Sequence, residues 1–213
     1  MLRYLTAEGL AGHPRLAETM FRDRAAQFGE RLGWEVQIGP DGFERDQYDA
    51  LNPLYLVWEA PGGRHGGSMR LLPTTGRTMV AEHFAHLLAG AVPRDPAIWE
   101  CTRFCLAPEA RPRVAAALML GGGEILAGFG LTRFLGVFDG RMERVYRRIG
   151  AEPEVLGASG SGRERLAVGL WALTPAARAR VALRAGLSPE LARHWLKRSA
   201  CTLPGTAQVS AAA

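Results

Sequence analysis

The stretch IWECTRFCL, residues 98–106, decides the fold. Trp99, Phe104 and Leu106 are bulky and apolar, so the segment reads as a buried central strand. Two charged residues, Glu100 and Arg103, interrupt it. Charge inside a buried strand is costly unless paired, so both need partners. They also stand three positions apart, and strict alternation points them to opposite faces of a sheet. A bulge near Cys101 and Thr102 would turn the chain, and bulges recur beside active sites.

Working outward, residues 109–128 read as a helix carrying an unusual Gly121-Gly122-Gly123 interruption, and FLGVF then reads as a strand. RMERVYRRIG is a helix, RLAVGLWAL a late strand, and a further helix starts near Pro175. On the N-terminal side, YLVWEAPGGRHGGSMRLLP predicts two strands joined by a glycine-rich turn, followed by a short helix over 79–89. Leu16, Met20, Phe21, Phe28 and Leu32 recur at helical spacing, so 14–32 forms an amphipathic helix ending near Gly33. GPDGFERDQYDALNP is polar and rich in turn residues. Helices alternating with strands imply an α/β sandwich in one domain over 1–213, with 201–213 a loose tail.

Composition is that of an ordinary globular chain, 47% hydrophobic and 22% charged. Cys101, Cys105 and Cys201 are odd in number and lack zinc-site spacing, which suggests a reducing compartment and no bound metal. The N-terminus is unlike a signal peptide, and no apolar run reaches bilayer length, so a cytoplasmic protein without membrane insertion is expected. Net charge is +5 with Lys197 the only lysine, so arginine dominates. Its planar fork suits carboxylates and phosphates. These arginines are dispersed rather than striped among aromatics, which argues against nucleic acid.

Dinucleotide, P-loop and zincin motifs are absent. His65, His83 and His86 read as surface or packing residues, and ASGSGRE (158–164), which has no lysine, reads as a loop. The first half holds the informative polar residues. Asp46 and Asp49 are close enough to converge within a turn, and Arg24, Arg70, Glu100 and Arg103 fall in or beside apolar segments. Each could cap a helix or form a structural ion pair. Together they suit a small molecule bearing both charges.

The segments MFRDRAAQFGERLGW, GFERDQYDALNPLYLV, GGSMRLLP and IWECTRFCL resemble, in order over residues 20–106, the signatures of the acyl-homoserine lactone synthases, or autoinducer synthases. The family pattern falls on Arg24, Phe28, Trp34, Asp46, Asp49, Arg70, Glu100 and Arg103. The resemblance implies a three-layer sandwich around a mixed sheet, like the N-acetyltransferases. It implies an acyltransferase of quorum sensing that takes S-adenosyl-L-methionine as substrate, with no further cofactor, and an acyl group from acyl carrier protein. Catalysis would then rest on Glu100, Arg70 and Arg103, and substrate binding on Arg24, Phe28, Trp34, Asp46 and Asp49.

Residue chemistry agrees with that division. Carboxylates can orient the amine and sulfonium, an arginine can grip the substrate carboxylate, aromatic faces suit the adenosyl group, and a buried Glu100 suits a general base. The resemblance also implies an acyl pocket between the later helix and the central strands, which makes Phe104, Leu118, Met119, Leu126, Val137 and Met142 lining candidates. FLGVFDG lacks the Ser or Thr that relatives favouring 3-oxo chains resemble one another in carrying, which favours an unsubstituted chain. Arg141, Arg144 and Arg148 share one helical face and could dock the acidic carrier protein. The alternatives are a coenzyme A-dependent N-acyltransferase of a small amine, for which CLAPEARPRVAA lacks a glycine loop, and a basic nucleic-acid-binding module.

Overall fold

A computed structural model describes residues 1–200, so the tail at 201–213 and its expected looseness lie outside the described residues. The chain opens with β1 (Leu2–Thr6), α1 (Ala7–Ala11) and α2 (Pro14–Arg24). The expected hairpin is β2 (Leu54–Ala60) and β3 (Arg64–Pro73), and the central strand is β4 (Ile98–Leu106). Then follow α3 (Arg113–Gly128), β5 (Arg133–Asp139), α4 (Gly140–Ile149), β6 (Glu154–Ser159), β7 (Leu166–Trp171), α5 (Pro175–Ala185) and α6 (Pro189–Ala200). Strand order is β1-β2-β3-β4-β5-β7-β6. All neighbours are antiparallel except β4 and β5, which makes the sheet mixed.

Strand alternation divides the core into layers. Leu2, Tyr4, Leu56, Met69 and Leu71 pack toward α3, α5 and α6 on one face. Leu5, Tyr55 and Val57 pack toward Leu16, Met20 and Phe21 of α2 on the other. Gly121 of α3 lies so close to the sheet that a Cβ there would come within 2.9 Å of Leu2 and Leu56. A larger residue at that point would hold helix and sheet apart.

Three features depart from the sequence reading. The helix over 14–32 is regular only to Arg24 and then widens into a π turn over Ala25–Arg31, in which Leu32 N–H donates to the Gln27 carbonyl. The segment 79–89 is a π turn (Val80–Phe84) followed by a 3-10 turn (Ala85–Leu87). Part of the expected loop ASGSGRE belongs to β6, because Ala158 and Ser159 pair with Ala167 and Leu166. Among the described residues no helix is long and apolar enough to cross a membrane.

Candidate active site

The bulge expected in β4 is present, one step further along than Cys101 and Thr102. Ser68 pairs with Cys105 and Arg70 with Thr102, so two steps along β3 match three along β4. The backbone absorbs the extra residue at Arg103, which adopts φ +53°. A non-glycine residue in that region is strained by roughly 1–2 kcal/mol. The turn puts Arg103 on the face that carries Arg70 and Thr102, where its Nη2 lies 2.7 Å from Asp46 Oδ2 and 2.9 Å from Glu44 Oε1.

Arg103 completes a closed network of three arginines and three carboxylates. Arg24 donates to both oxygens of Asp49 at 3.0 and 2.9 Å, and its Nε reaches Glu44 at 2.6 Å. Arg70 grips Asp46 with two nitrogens, approaches Asp49 at 2.9 Å and donates from Nε to Thr102 at 3.0 Å. Tyr55 donates its hydroxyl to Asp49 at 2.6 Å. Asp49 also accepts the Asp46 backbone N–H, and Asp46 that of Tyr48, so the D-x-x-D segment is folded back on itself. Burial alone would raise the Asp49 pKa, but the charge and hydrogen bonds of Arg24, with Arg70 and Tyr55, hold it well below the usual range. Glu44, 0% exposed, bridges Arg24 and Arg103 and is the member that sequence reasoning missed.

Glu100 lies apart from this network. It is 1% exposed and accepts the backbone N–H groups of Met79 and Val80 at 2.9 and 2.6 Å, which fastens the π turn at 80–84 to β4. Burial pushes its pKa up, and those two hydrogen bonds offset the rise only in part. His65 is buried rather than at the surface, bonded to Asp23 at 2.7 Å and Ser68 at 3.0 Å. It joins α2 to β3 as packing.

A cavity of about 760 Å³ begins beside the network. Its polar end is lined by Phe28, Trp34, Asp46, Gln47, His83 and Arg103. Phe28 and Trp34 stack at 5.3 Å and 7°, and the Arg103 guanidinium lies 5.5 Å from the Phe28 ring centre. The interior is apolar and opens where β4 and β5 separate. They pair only from Ile98–Arg133 to Glu100–Leu135 and then diverge, so the cavity passes between them to α3. There Phe104, Met119, Leu126, Val137 and Met142 line it, as expected, together with Gly122 and Gly123. Leu118 does not line it: this residue faces Gly67 within the core.

Of the predicted site residues, then, Phe28, Trp34, Asp46 and Arg103 meet the cavity, Arg24, Asp49 and Arg70 form the wall behind Asp46 and Arg103, and Glu100 is buried without lining the cavity. Among the described residues no group of His, Cys, Asp or Glu is arranged to hold a metal ion.

The chain has counterparts in sequence and fold. A putative N-acetyltransferase from Lactobacillus plantarum superimposes at a TM-score of 0.54 with 15% identity, covering 81% of this chain and 99% of its own, a likeness of fold alone. BjaI, solved with SAM and isopentyl-CoA and described as a CoA-dependent acyl-homoserine lactone synthase, superimposes at 0.76 with 25% identity over 88% of this chain and 90% of its own. An acyl-homoserine-lactone synthase of Rhizobium etli is 45% identical over 181 residues, 82% of this chain and 85% of the relative. The autoinducer synthase family model matches residues 10–182, a span that takes in the charge network, the bulged strand and the divided sheet, and the chain belongs to that family.

Proposed function

We propose that the protein is an acyl-homoserine lactone synthase that acylates the amine of S-adenosyl-L-methionine and then closes the lactone with release of methylthioadenosine. The observation that carries this reading is one continuous cavity with a charged, aromatic end and an apolar end, divided by the separation of β4 and β5. A zwitterionic, sulfonium-bearing substrate suits the first end and an acyl chain the second.

Asp46 orients the amine and sulfonium, Arg103 the carboxylate, and the stacked Phe28 and Trp34 offer an aromatic face to the adenosyl group and the cation. Arg24, Asp49, Arg70 and Glu44 act as positioning residues. Their mutual pairing leaves Asp46 and Arg103 little freedom to rotate, so the site is preorganised. The amine loses a proton before it attacks the thioester. Glu100 takes that proton through one water, since each of its oxygens keeps a second lone pair and its raised pKa makes it a better base than a solvated carboxylate. The amine nitrogen bonds to the acyl carbon as the thiol leaves. The carboxylate oxygen then displaces sulfur from the γ-carbon of the same chain, and ring closure needs only alignment of the two.

The donor is acyl carrier protein, docked on the Arg141, Arg144 and Arg148 face of α4. All three are exposed, and among the described residues neither Arg144 nor Arg148 has an ion-pair partner, whereas Glu143 is taken by Arg165 and Glu152 by Arg147. A second reading, an acyl-coenzyme A donor, is favoured by the likeness to BjaI, which is described as CoA-dependent. Incubating the purified protein with S-adenosyl-L-methionine and either donor, and measuring methylthioadenosine and lactone by mass spectrometry, tests both. Methylthioadenosine without lactone, or neither product, overturns the function, and the ratio of kcat/KM for the two donors assigns the thioester.

A further inference from the structure

On the α3 side, away from the charge network, the cavity is lined by Leu173 and Ala172. Leu173, in the short link between β7 and α5, lines the cavity yet is itself partly exposed, and its neighbour Ala172 lines the cavity while lying at the surface. The apolar part of the cavity therefore comes close to solvent at Leu173. The leucine sits directly over Gly123 of α3. A Cβ at position 123 would fall 1.9 Å from Leu173 Cδ2, so only glycine leaves this leucine its place.

The backbone on either side of Leu173 is held. Before it, Trp171 donates its indole N–H to the Ala151 carbonyl at 3.1 Å. After it, Thr174 caps α5 by accepting the Ala177 N–H at 3.2 Å. One turn on, Arg178 donates to Glu124, the buried neighbour of Gly123, at 2.8 Å from Nε, and Arg193 of α6 reaches the same carboxylate at 3.2 Å. With helices and strand pinned around it, the Leu173 side chain is the part that can change without moving the scaffold.

We infer that Leu173, seated on Gly123, is the residue that sets the length of acyl group this enzyme accepts, by closing the far end of the acyl cavity to solvent. This rests on the proposed synthase activity and adds its chain-length determinant. A straight acyl chain entering between β4 and β5 runs along the α3 face past Met119, Gly122 and Leu126 and meets Leu173 last. Removing the leucine opens the end, so longer chains extend outward. A larger side chain shortens the cavity.

The test compares lactone formation from straight saturated acyl donors, hexanoyl to palmitoyl, by the wild type, Leu173→Ala and Leu173→Trp. The carrier or coenzyme A form is whichever the wild type uses. We expect the kcat/KM ratio of the longest accepted donor to the shortest to rise at least about tenfold in Leu173→Ala and to fall by a similar factor in Leu173→Trp, about what one methylene contributes in an apolar pocket. Circular dichroism confirms folding, and either folded variant suffices because the two shifts are opposite in sign. A length profile unchanged in a folded variant, while the wild type makes lactone, overturns this inference and leaves the function standing. No lactone from any donor with the wild type overturns the function itself.

Discussion

Arg103 reaches Asp46 at 2.7 Å because its own backbone is left-handed, with φ +53° at a bulge that β3 does not share. The strain at Arg103 and the ion pair at its tip belong together: a regular strand would send the guanidinium to the α3 face. Replacing Arg103 with alanine or glycine removes the same interactions but differs in the backbone term. Arg103→Gly should be more stable than Arg103→Ala by about 1 kcal/mol, since alanine retains the φ > 0 penalty. Urea unfolding of the two variants measures this, and an alanine variant as stable as the glycine one would mean that the bulge relaxes once its side chain is lost.

The network makes the fold sensitive to Glu44 and to acid. Glu44→Gln leaves Arg24 and Arg103 buried with less countercharge, and breaking a buried pair costs about 3–5 kcal/mol. Asp49 has a folded pKa below its unfolded value of about 3.9, so its contribution is complete above that value and is lost as pH falls through the folded one. Stability should therefore decline steeply below about pH 4, and Asp49→Asn should flatten that decline while lowering stability at neutral pH. Unfolding midpoints measured across pH check both, and an acid limb unaltered in Asp49→Asn would exclude this carboxylate as its source.

Glu100→Gln separates a base from an anchor. The amide can still accept one of the two N–H groups from Met79 and Val80, so the π turn should hold and S-adenosyl-L-methionine affinity should change little. Acylation should fall by about a hundredfold or more, the usual worth of a general base. The wild-type rate should rise with pH through a pKa above the ordinary glutamate value, and the variant should lack that limb. Turnover within a few-fold of wild type across the pH range would leave Glu100 only its hydrogen bonds to the π turn.

Trp34 tests the aromatic end. It is 43% exposed and rests on Phe28, so Trp34→Ala should cost little stability. The lost cation–π and stacking contacts are worth roughly 0.5–2 kcal/mol, which predicts S-adenosyl-L-methionine binding weaker by about two- to thirtyfold. Titration calorimetry reads this directly, and unchanged affinity would remove Trp34 from the substrate's surroundings.

What could be read from the sequence was whatever leaves a local trace. The apolar run around Trp99 marks β4, and the three-residue spacing of Glu100 and Arg103 points to either a bulge or only one of the pair at the site. Glu44 left none: in a polar, turn-rich stretch it resembles a solvated residue, and its partners stand 20 and 59 positions away. The same distance hid the hydrogen bonds of Glu100, whose acceptance of two backbone N–H groups has no residue signature. The edge strand β6 leaves no trace either, because apolar and polar residues do not alternate along EVLGAS. Leu118 and Leu126 sit on one apolar helix, and only the docking of α3 on the divided sheet sends one into the core and the other to the cavity.

The docking face proposed for the carrier protein on α4 can be tested by reversing its charge. Asp139 caps α4 by accepting the N–H groups of Arg141 and Met142, and Tyr146 and Ile149 are buried beneath the helix, so its arginines rise from a fixed platform. Acyl carrier protein is acidic, and such a row both speeds the encounter and holds carboxylates or the phosphopantetheine phosphate. Arg144→Glu combined with Arg148→Glu reverses two of these charges. It should raise the apparent KM for acyl carrier protein by roughly tenfold or more, about 1.4 kcal/mol. Affinity for S-adenosyl-L-methionine and the thermal midpoint should change little, since neither residue lines the cavity or enters the core. Rising salt should weaken the wild-type encounter and narrow the gap between wild type and variant, because exposed charges are screened. If the double variant keeps a wild-type KM for the carrier at low salt, docking takes place on another face and these arginines are simply solvated.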